Sequence, residues 1–191
     1  FKTGIKRLNT FLSPGYMGGR LYTYIALPGG GKSTMLLKSA VDIKKYNKDV
    51  VSEDPTKRPA VLYISLENSL SETIERLFNM VASDDDIRNY TPKQVMKKLR
   101  EEGQLKCTDK DNIDIIIQYR GFEDLRTDDL YGIVDDLADD GYEVVTLILD
   151  YMKLIKPKDK AANIKDALRC ISTELKNLAN FYNIPVITAH Q

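Results

Sequence analysis

Ala26-Leu27-Pro28-Gly29-Gly30-Gly31-Lys32-Ser33-Thr34 is the stretch that decides how this chain folds. It fits the phosphate-binding loop G-x-x-x-x-G-K-S/T, with Gly31, Lys32 and Ser33 closing the motif and Ala26 standing where the leading Gly usually is. That departure falls where the turn begins, away from the phosphates. Upstream lies a strand-like run, Leu21-Tyr22-Thr23-Tyr24-Ile25, and downstream an apolar-periodic segment through Met35, Leu36, Ala40 and Ile43. Strand, loop, Lys-Ser and helix in that order are the context in which the motif works, and a merely flexible Gly-rich turn does not account for the order.

The chemistry explains the residue types. Consecutive glycines let the backbone take positive φ and bring N–H groups close to phosphate oxygens with no Cβ in the way. The following helix N-terminus adds its partial positive charge. Pro28, Gly29, Gly30, Gly31, Lys32, Ser33 and Thr34 are therefore the candidate nucleotide-binding residues. Lys32 is expected to reach the β- and γ-phosphates, and the Ser33 hydroxyl to ligate Mg²⁺, so the implied ligands are ATP and Mg²⁺.

Outward from the loop, the pattern alternates between strand and helix. Strands are predicted at 20–26, 60–66, 113–119, 143–149 and 184–189, and helices at 32–46, 70–82, 91–102, 127–139 and 162–182. Several strands are continuous apolar runs, as expected of strands covered on both faces. The fold class is α/β, a mostly parallel sheet with helices on both faces. Loops are expected at 47–59, 83–91 and 153–163, with no internal repeat.

Two strands end in carboxylates. Ligands of open parallel sheets sit at the carboxyl ends of strands, so Asp150, closing Val145-Thr146-Leu147-Ile148-Leu149, is placed to act on Mg²⁺ with Ser33. Glu67 follows the run ending Ser65-Leu66 and is the candidate to activate a water; its alternative role is a charge at the start of the next helix. The last strand leads through Thr188-Ala189-His190 to Gln191, whose amide can hydrogen-bond a γ-phosphate. His190 is expected to be a strand-end residue with a satisfied side chain.

Bulk composition narrows the classes. With 191 residues, 42% of them hydrophobic, the chain supports one sizeable core. Lys plus Arg and Asp plus Glu both number 28, so any contact with a polyanion must be local. Cys107 and Cys170 lack the spacing of a disulfide framework or zinc site and are expected to be reduced and buried. No apolar run approaches a membrane span, so a soluble, intracellular protein is expected. A start at Phe1 and a stop directly after an apolar strand lead us to expect residues 1–191 to be the core of a longer protein.

With those residues placed, the chain resembles the RecA-like ATPase domain of DnaB-family replicative DNA helicases, phage relatives included. Thr3-Gly4-Ile5, Leu8-Asn9 and Gly18-Gly19 are similar to the family's opening stretch. Ser65-Leu66-Glu67 is similar to its catalytic-glutamate segment, with Arg76 where the family often has Arg. Asp150-Tyr151 resembles its Walker B end, and Leu175-Lys176-Asn177-Leu178-Ala179 through Ile184-Pro185-Val186 to Gln191 its final run. Departures are the longer loop 47–59, the divergent charged region 83–112, and the lack of the family's trans-acting Arg/Lys fingers and second DNA loop.

The resemblance implies a motor that hydrolyses ATP to move on single-stranded DNA and unwind duplex. Glu67, Lys32 and Gln191 would be catalytic, and the full-length protein a homo-oligomer, expected to be a hexamer, working with a primase or helicase loader in a bacterial or phage-infected cytoplasm. The segment after Asp150 carries Lys153, Lys156, Lys158, Lys160 and Lys165. By composition it reads equally as a solvated connection or as a loop tracking phosphates. The resemblance favours DNA contact by Lys156, Lys158 and Lys160. A RecA/RadA-type recombinase shares the core and stays open as an alternative, whereas a small-molecule kinase would need an Arg-rich lid that is not evident.

Overall fold

The computed structural model describes residues 1–82, 87–106, 112–121, 124–158 and 161–190. Cys107, Lys160 and Gln191 lie outside them.

Five strands, β1 (Leu21–Ile25), β2 (Arg58–Ser65), β3 (Asp114–Tyr119), β4 (Tyr142–Asp150) and β5 (Val186–His190), form one sheet in the order β1-β5-β4-β2-β3. Every pairing is parallel, as the alternating pattern requires. The helices are α1 (Lys6–Leu12), α2 (Lys32–Tyr46), α3 (Leu70–Val81), α4 (Pro92–Glu101), α5 (Asp129–Asp139) and α6 (Ile164–Phe181), with short 3₁₀ turns at Ile87–Asn89 and Met152–Leu154.

Two cores sandwich the sheet. On one face Leu36, Ala40 and Ile43 of α2, Leu77 and Phe78 of α3 and Leu99 of α4 pack over Val61, Tyr63 and Ile148. On the other, Leu130 and Val134 of α5 and Leu175 and Leu178 of α6 pack over Leu62, Ile64, Leu147 and Leu149. Alternate residues of β2 thus feed opposite cores, and its run is apolar because both faces are covered.

The register shifts between Ala60 and Val61 against β4, with Ala60 opposite Val144 and Val61 opposite Thr146. Val145 is the extra residue. Beyond the bulge Tyr63 lies opposite Ile148 and Ser65 opposite Asp150, which sets Asp150 on the face that carries α2.

Differences from the sequence expectation are local. β2 begins at Arg58, inside the stretch expected to be loop, where Arg58 Nε and Nη2 donate to Asp114 Oδ2 and Oδ1 at 2.9 and 3.2 Å. A Pro at position 59 and a charge before it look like a strand's end, but here the forked guanidinium ties β2 to β3. α1 had no periodic signal, and none of its residues is buried. Ser69 and Thr91 cap α3 and α4, with Glu72 and Gln94 completing both capping boxes, so α3 starts at the expected residue and α4 one residue later. Cys170 is a free thiol but only half-buried, because it lies beside rather than on the apolar stripe of α6. His190 Nδ1 is buried without a hydrogen-bond partner among the described residues, against the expectation of a satisfied side chain.

Gly132 sits exposed inside α5 with ordinary helical φ, and nothing lies within 4 Å of where a Cβ would stand. Gly132→Ala should therefore stabilise the protein by about 0.5–1 kcal/mol in denaturant titration. Gly141→Ala, at φ 84°, should instead destabilise it by about 1 kcal/mol or more.

Candidate active site

The loop between β1 and α2 turns on two glycines with positive φ, Gly29 at 73° and Gly31 at 77°. A Cβ at either would enter open space, so these residues line the mouth of a cradle rather than fill a packed turn. Behind it is a cavity of about 340 Å³ lined by Pro28, Gly29, Gly31, Lys32, Ser33, Thr34, Glu67, Asn68 and Arg76. The sheet order explains this gathering, since the carboxyl ends of β1 and β2 open on the same edge.

Asp150 is the anchor. It is 1% exposed at the end of β4, and its Oδ1 accepts from Ser33 Oγ at 3.0 Å across 117 residues of sequence. Its Oδ2 accepts from Tyr63 Oη at 2.9 Å, and Asn68 Nδ2 stands 3.5 Å from the same oxygen. Burial pushes the Asp150 carboxyl up, against which the hydroxyls of Tyr63 and Ser33, the charge of Arg76 and the Asn68 amide hold it down. Burial, then the Asp150 charge, keeps the Tyr63 phenol far above its ordinary range.

Glu67 is exposed on the cavity wall. It precedes the Ser69 cap of α3, and the first-turn carboxylate of that helix is Glu72, so the helix-charge role falls to Glu72. A tight turn holds Glu67 in place: Asn68 N donates to Ser65 Oγ, which donates in turn to Asn68 O at 2.7 Å, and Leu66 N donates to Asp150 O at 2.8 Å. Lys32 is buried, and its Nζ donates to the carbonyls of Ala26 and Leu27 at 3.0 Å each. Arg76, exposed on α3, has no hydrogen bond or ion pair among the described residues.

The end of β5 is clasped to this edge as well. Thr188 Oγ1 donates to Leu149 O at 2.8 Å and accepts from Met152 N at 3.1 Å. Gln191, one residue past His190, lies outside the described residues.

The lysine segment forms a separate cleft of about 540 Å³ lined by Arg126, Lys156, Pro157, Lys158, Ala161, Asn163, Ile164 and Ala167. Lys156 and Lys158 are exposed there, Lys153 and Lys165 are exposed elsewhere along the segment, and Lys160 lies outside the described residues. Arg126 bridges to Lys156 and donates to the Lys158 carbonyl, while Glu174 Oε2 accepts from Lys158 N at 3.2 Å and from the Thr127 hydroxyl. Arg126 carried no signal in sequence, because it is 30 residues before Lys156 and joins it only through this parallel bridge.

Comparison with known proteins then decides the family. The model of the divergent DnaB-like ATPase family matches residues 1–191. The chain belongs to that family. It is thus a nucleotide-binding ATPase domain. Its fold is similar to that of another solved ATPase domain, with a TM-score of 0.70 at 20% identity over 98% of this chain and 62% of that one. It is also similar to a DnaB-like replicative helicase whose structure was described with its interactions with primase, with a TM-score of 0.66 at 20% identity over 98% of this chain and 42% of that one. The divergent DnaB-like chain therefore spans less than two thirds of either neighbour. No curated protein matches the sequence. Among the described residues no helix is long and apolar enough to cross a membrane.

The cradle yields its own test. Gly31→Ala forces a side chain into the left-handed region and puts a methyl where an anion would sit, so nucleotide affinity should fall about tenfold or more in equilibrium binding while the far-ultraviolet spectrum is kept.

Proposed function

We propose that residues 1–191 are the ATP-hydrolysing core of a ring-forming replicative DNA helicase that moves on single-stranded DNA. The observation that carries this reading is the 3.0 Å bond from Ser33 to Asp150, with Glu67 on the wall of the same cavity as Ser33. Hydroxyl, carboxylate and candidate base come from the start of α2, the end of β4 and the turn after β2, an arrangement suited to a bound phosphoryl group.

The residues fit Mg²⁺·ATP. The glycine cradle and the N-terminus of α2 would hold the phosphates, and Ser33 and Asp150 would hold Mg²⁺. Among the described residues no cluster of three His, Cys, Asp or Glu side chains exists to cage a metal alone, which suits an ion that takes its remaining ligands from phosphate and water. Bound there, Mg²⁺ supplies charge neutralisation to the transferring phosphoryl group. Lys32 would exchange the Ala26 and Leu27 carbonyls for phosphate oxygens, which are stronger acceptors. Glu67 would orient and deprotonate the attacking water, and Gln191 would contact the γ-phosphate.

The basic cleft follows directly from Asp150 along the chain, and Thr188 joins the backbone on both sides of Asp150 to β5. This supports a route by which loss of the γ-phosphate moves the segment bearing Lys156, Lys158 and Lys160 against a DNA strand. Family membership supports a homo-oligomer, a hexamer in our reading, and a primase or loader as its partner.

In the full-length protein, Lys32→Ala should abolish nucleotide binding or turnover with the fold intact. Glu67→Gln should retain nucleotide binding and lose turnover by about a hundredfold or more. Parental ATPase rates in both folded variants would refute the reading. For DNA, replacing Lys156 and Lys158 with Ala should weaken single-strand binding regardless of base sequence, flattening the slope of log affinity against log salt by about 0.7 for each phosphate interaction removed. An unchanged slope would make the segment a solvated connection.

A further inference from the structure

We propose that Tyr63 is a positioning residue for the metal-facing carboxylate, its buried hydroxyl clamping Oδ2 of Asp150 so that Oδ1 stays turned toward Ser33. The proposal rests on the reading of Asp150 as the carboxylate that acts on Mg²⁺. Two observations carry it. Tyr63 is 1% exposed in the middle of the sheet, among Val61, Ile148 and the apolar side chains of α2 and α3. A phenylalanine fills such a space equally well, and a buried hydroxyl is costly unless it finds a partner. The partner it finds, at 2.9 Å, is Asp150, the buried carboxylate at the sheet's active edge.

The geometry gives the clamp a direction. Tyr63 and Asp150 are on the same face because the β2–β4 register sets Ser65 opposite Asp150 and Tyr63 opposite Ile148, so the ring reaches along the strand to the next in-phase position. Asp150 has two carboxylate oxygens and two close hydroxyl donors, one on each. Ser33 lines the cavity and is the donor that a bound ion would engage, whereas Tyr63 approaches from the core. With Oδ2 held from behind, the carboxylate plane is kept from rotating about its last bond, and the lone pairs facing Ser33 keep one direction before any ligand arrives. Groups that fix a ligand's orientation in this way change metal affinity by about tenfold to a hundredfold.

The test uses the full-length protein and a fluorescent ATP analogue, with Mg²⁺ titrated from an EDTA baseline. Tyr63→Phe should leave binding in EDTA unchanged and raise the Mg²⁺ concentration for half-maximal tightening about tenfold. Asp150→Asn should also shift the Mg²⁺ dependence, and Tyr63→Phe added to it should shift it no further, because the hydroxyl acts through the carboxylate. A folded Tyr63→Phe with the parental Mg²⁺ midpoint, even if its unfolding temperature drops, would overturn the proposal, as would fully additive shifts in the double variant. Parental Mg²⁺ dependence in Asp150→Asn would overturn the metal reading itself and the proposal with it. Should Tyr63→Phe not fold, Tyr63→Met removes the same hydroxyl and is held to the same outcomes.

Discussion

A carboxylate buried at the end of a central strand must be held by donors, and in this chain the donors that hold Asp150 organise the whole active edge. Ser33 reaches it from the first turn of α2, Tyr63 from β2, and Asn68 from the turn after β2. Each bond joins a different segment to β4. Because β5 lies between β1 and β4, the Ser33 contact requires α2 to cross over β5, and this crossing gives the sheet one of its two cores. An unpaired charge at that depth would be costly, so the network stabilises the fold and shapes the site at once.

The same edge links two surfaces with different chemistry. On one side are the glycine cradle, Glu67 and Arg76; on the other, the cleft of Arg126, Lys156 and Lys158. Lys158 stands eight positions beyond Asp150, and the Thr188 hydroxyl is bonded to the backbone on either side of Asp150. Arg126, just before α5, and Glu174 of α6 then fasten the far end of that segment. The edge that carries Ser33 and Asp150 is thus joined to the basic cleft by the chain from Asp150 to Lys158 and by the side chains of Thr188, Arg126 and Glu174.

Sequence distance from the solved neighbours leaves the architecture intact. At 20% identity the similarity in fold still extends over 98% of the chain. In this chain the parallel strands end together, so that the turns after β1, β2 and β4 share one edge. The segment between α2 and β2 is accommodated at the opposite end of the strands, where Glu143 accepts from the Ser52 hydroxyl and from Glu53 N, clear of the edge that carries Ser33 and Asp150.

Sequence alone determined the elements whose signal is local. The phosphate loop, α2 over Lys32–Tyr46, the five strands and the polar ends of β2 and β4 are all legible because glycine runs, helical periodicity and apolar runs bounded by charges are properties of neighbouring residues. What sequence could not show depends on register and approach. The run Val144 to Leu149 serves both faces of the sheet, so nothing in it reveals the extra residue at Val145 that turns Asp150 toward α2; a slip of one position would have sent the carboxylate into the α5–α6 core. Tyr63 reads as one more apolar strand residue, Arg126 as a lone surface charge and Arg58 as a loop end, until the strands are paired. Tertiary structure decided these, because a partner that is distant in sequence is chosen by strand order and phase, and neither is written in any single segment.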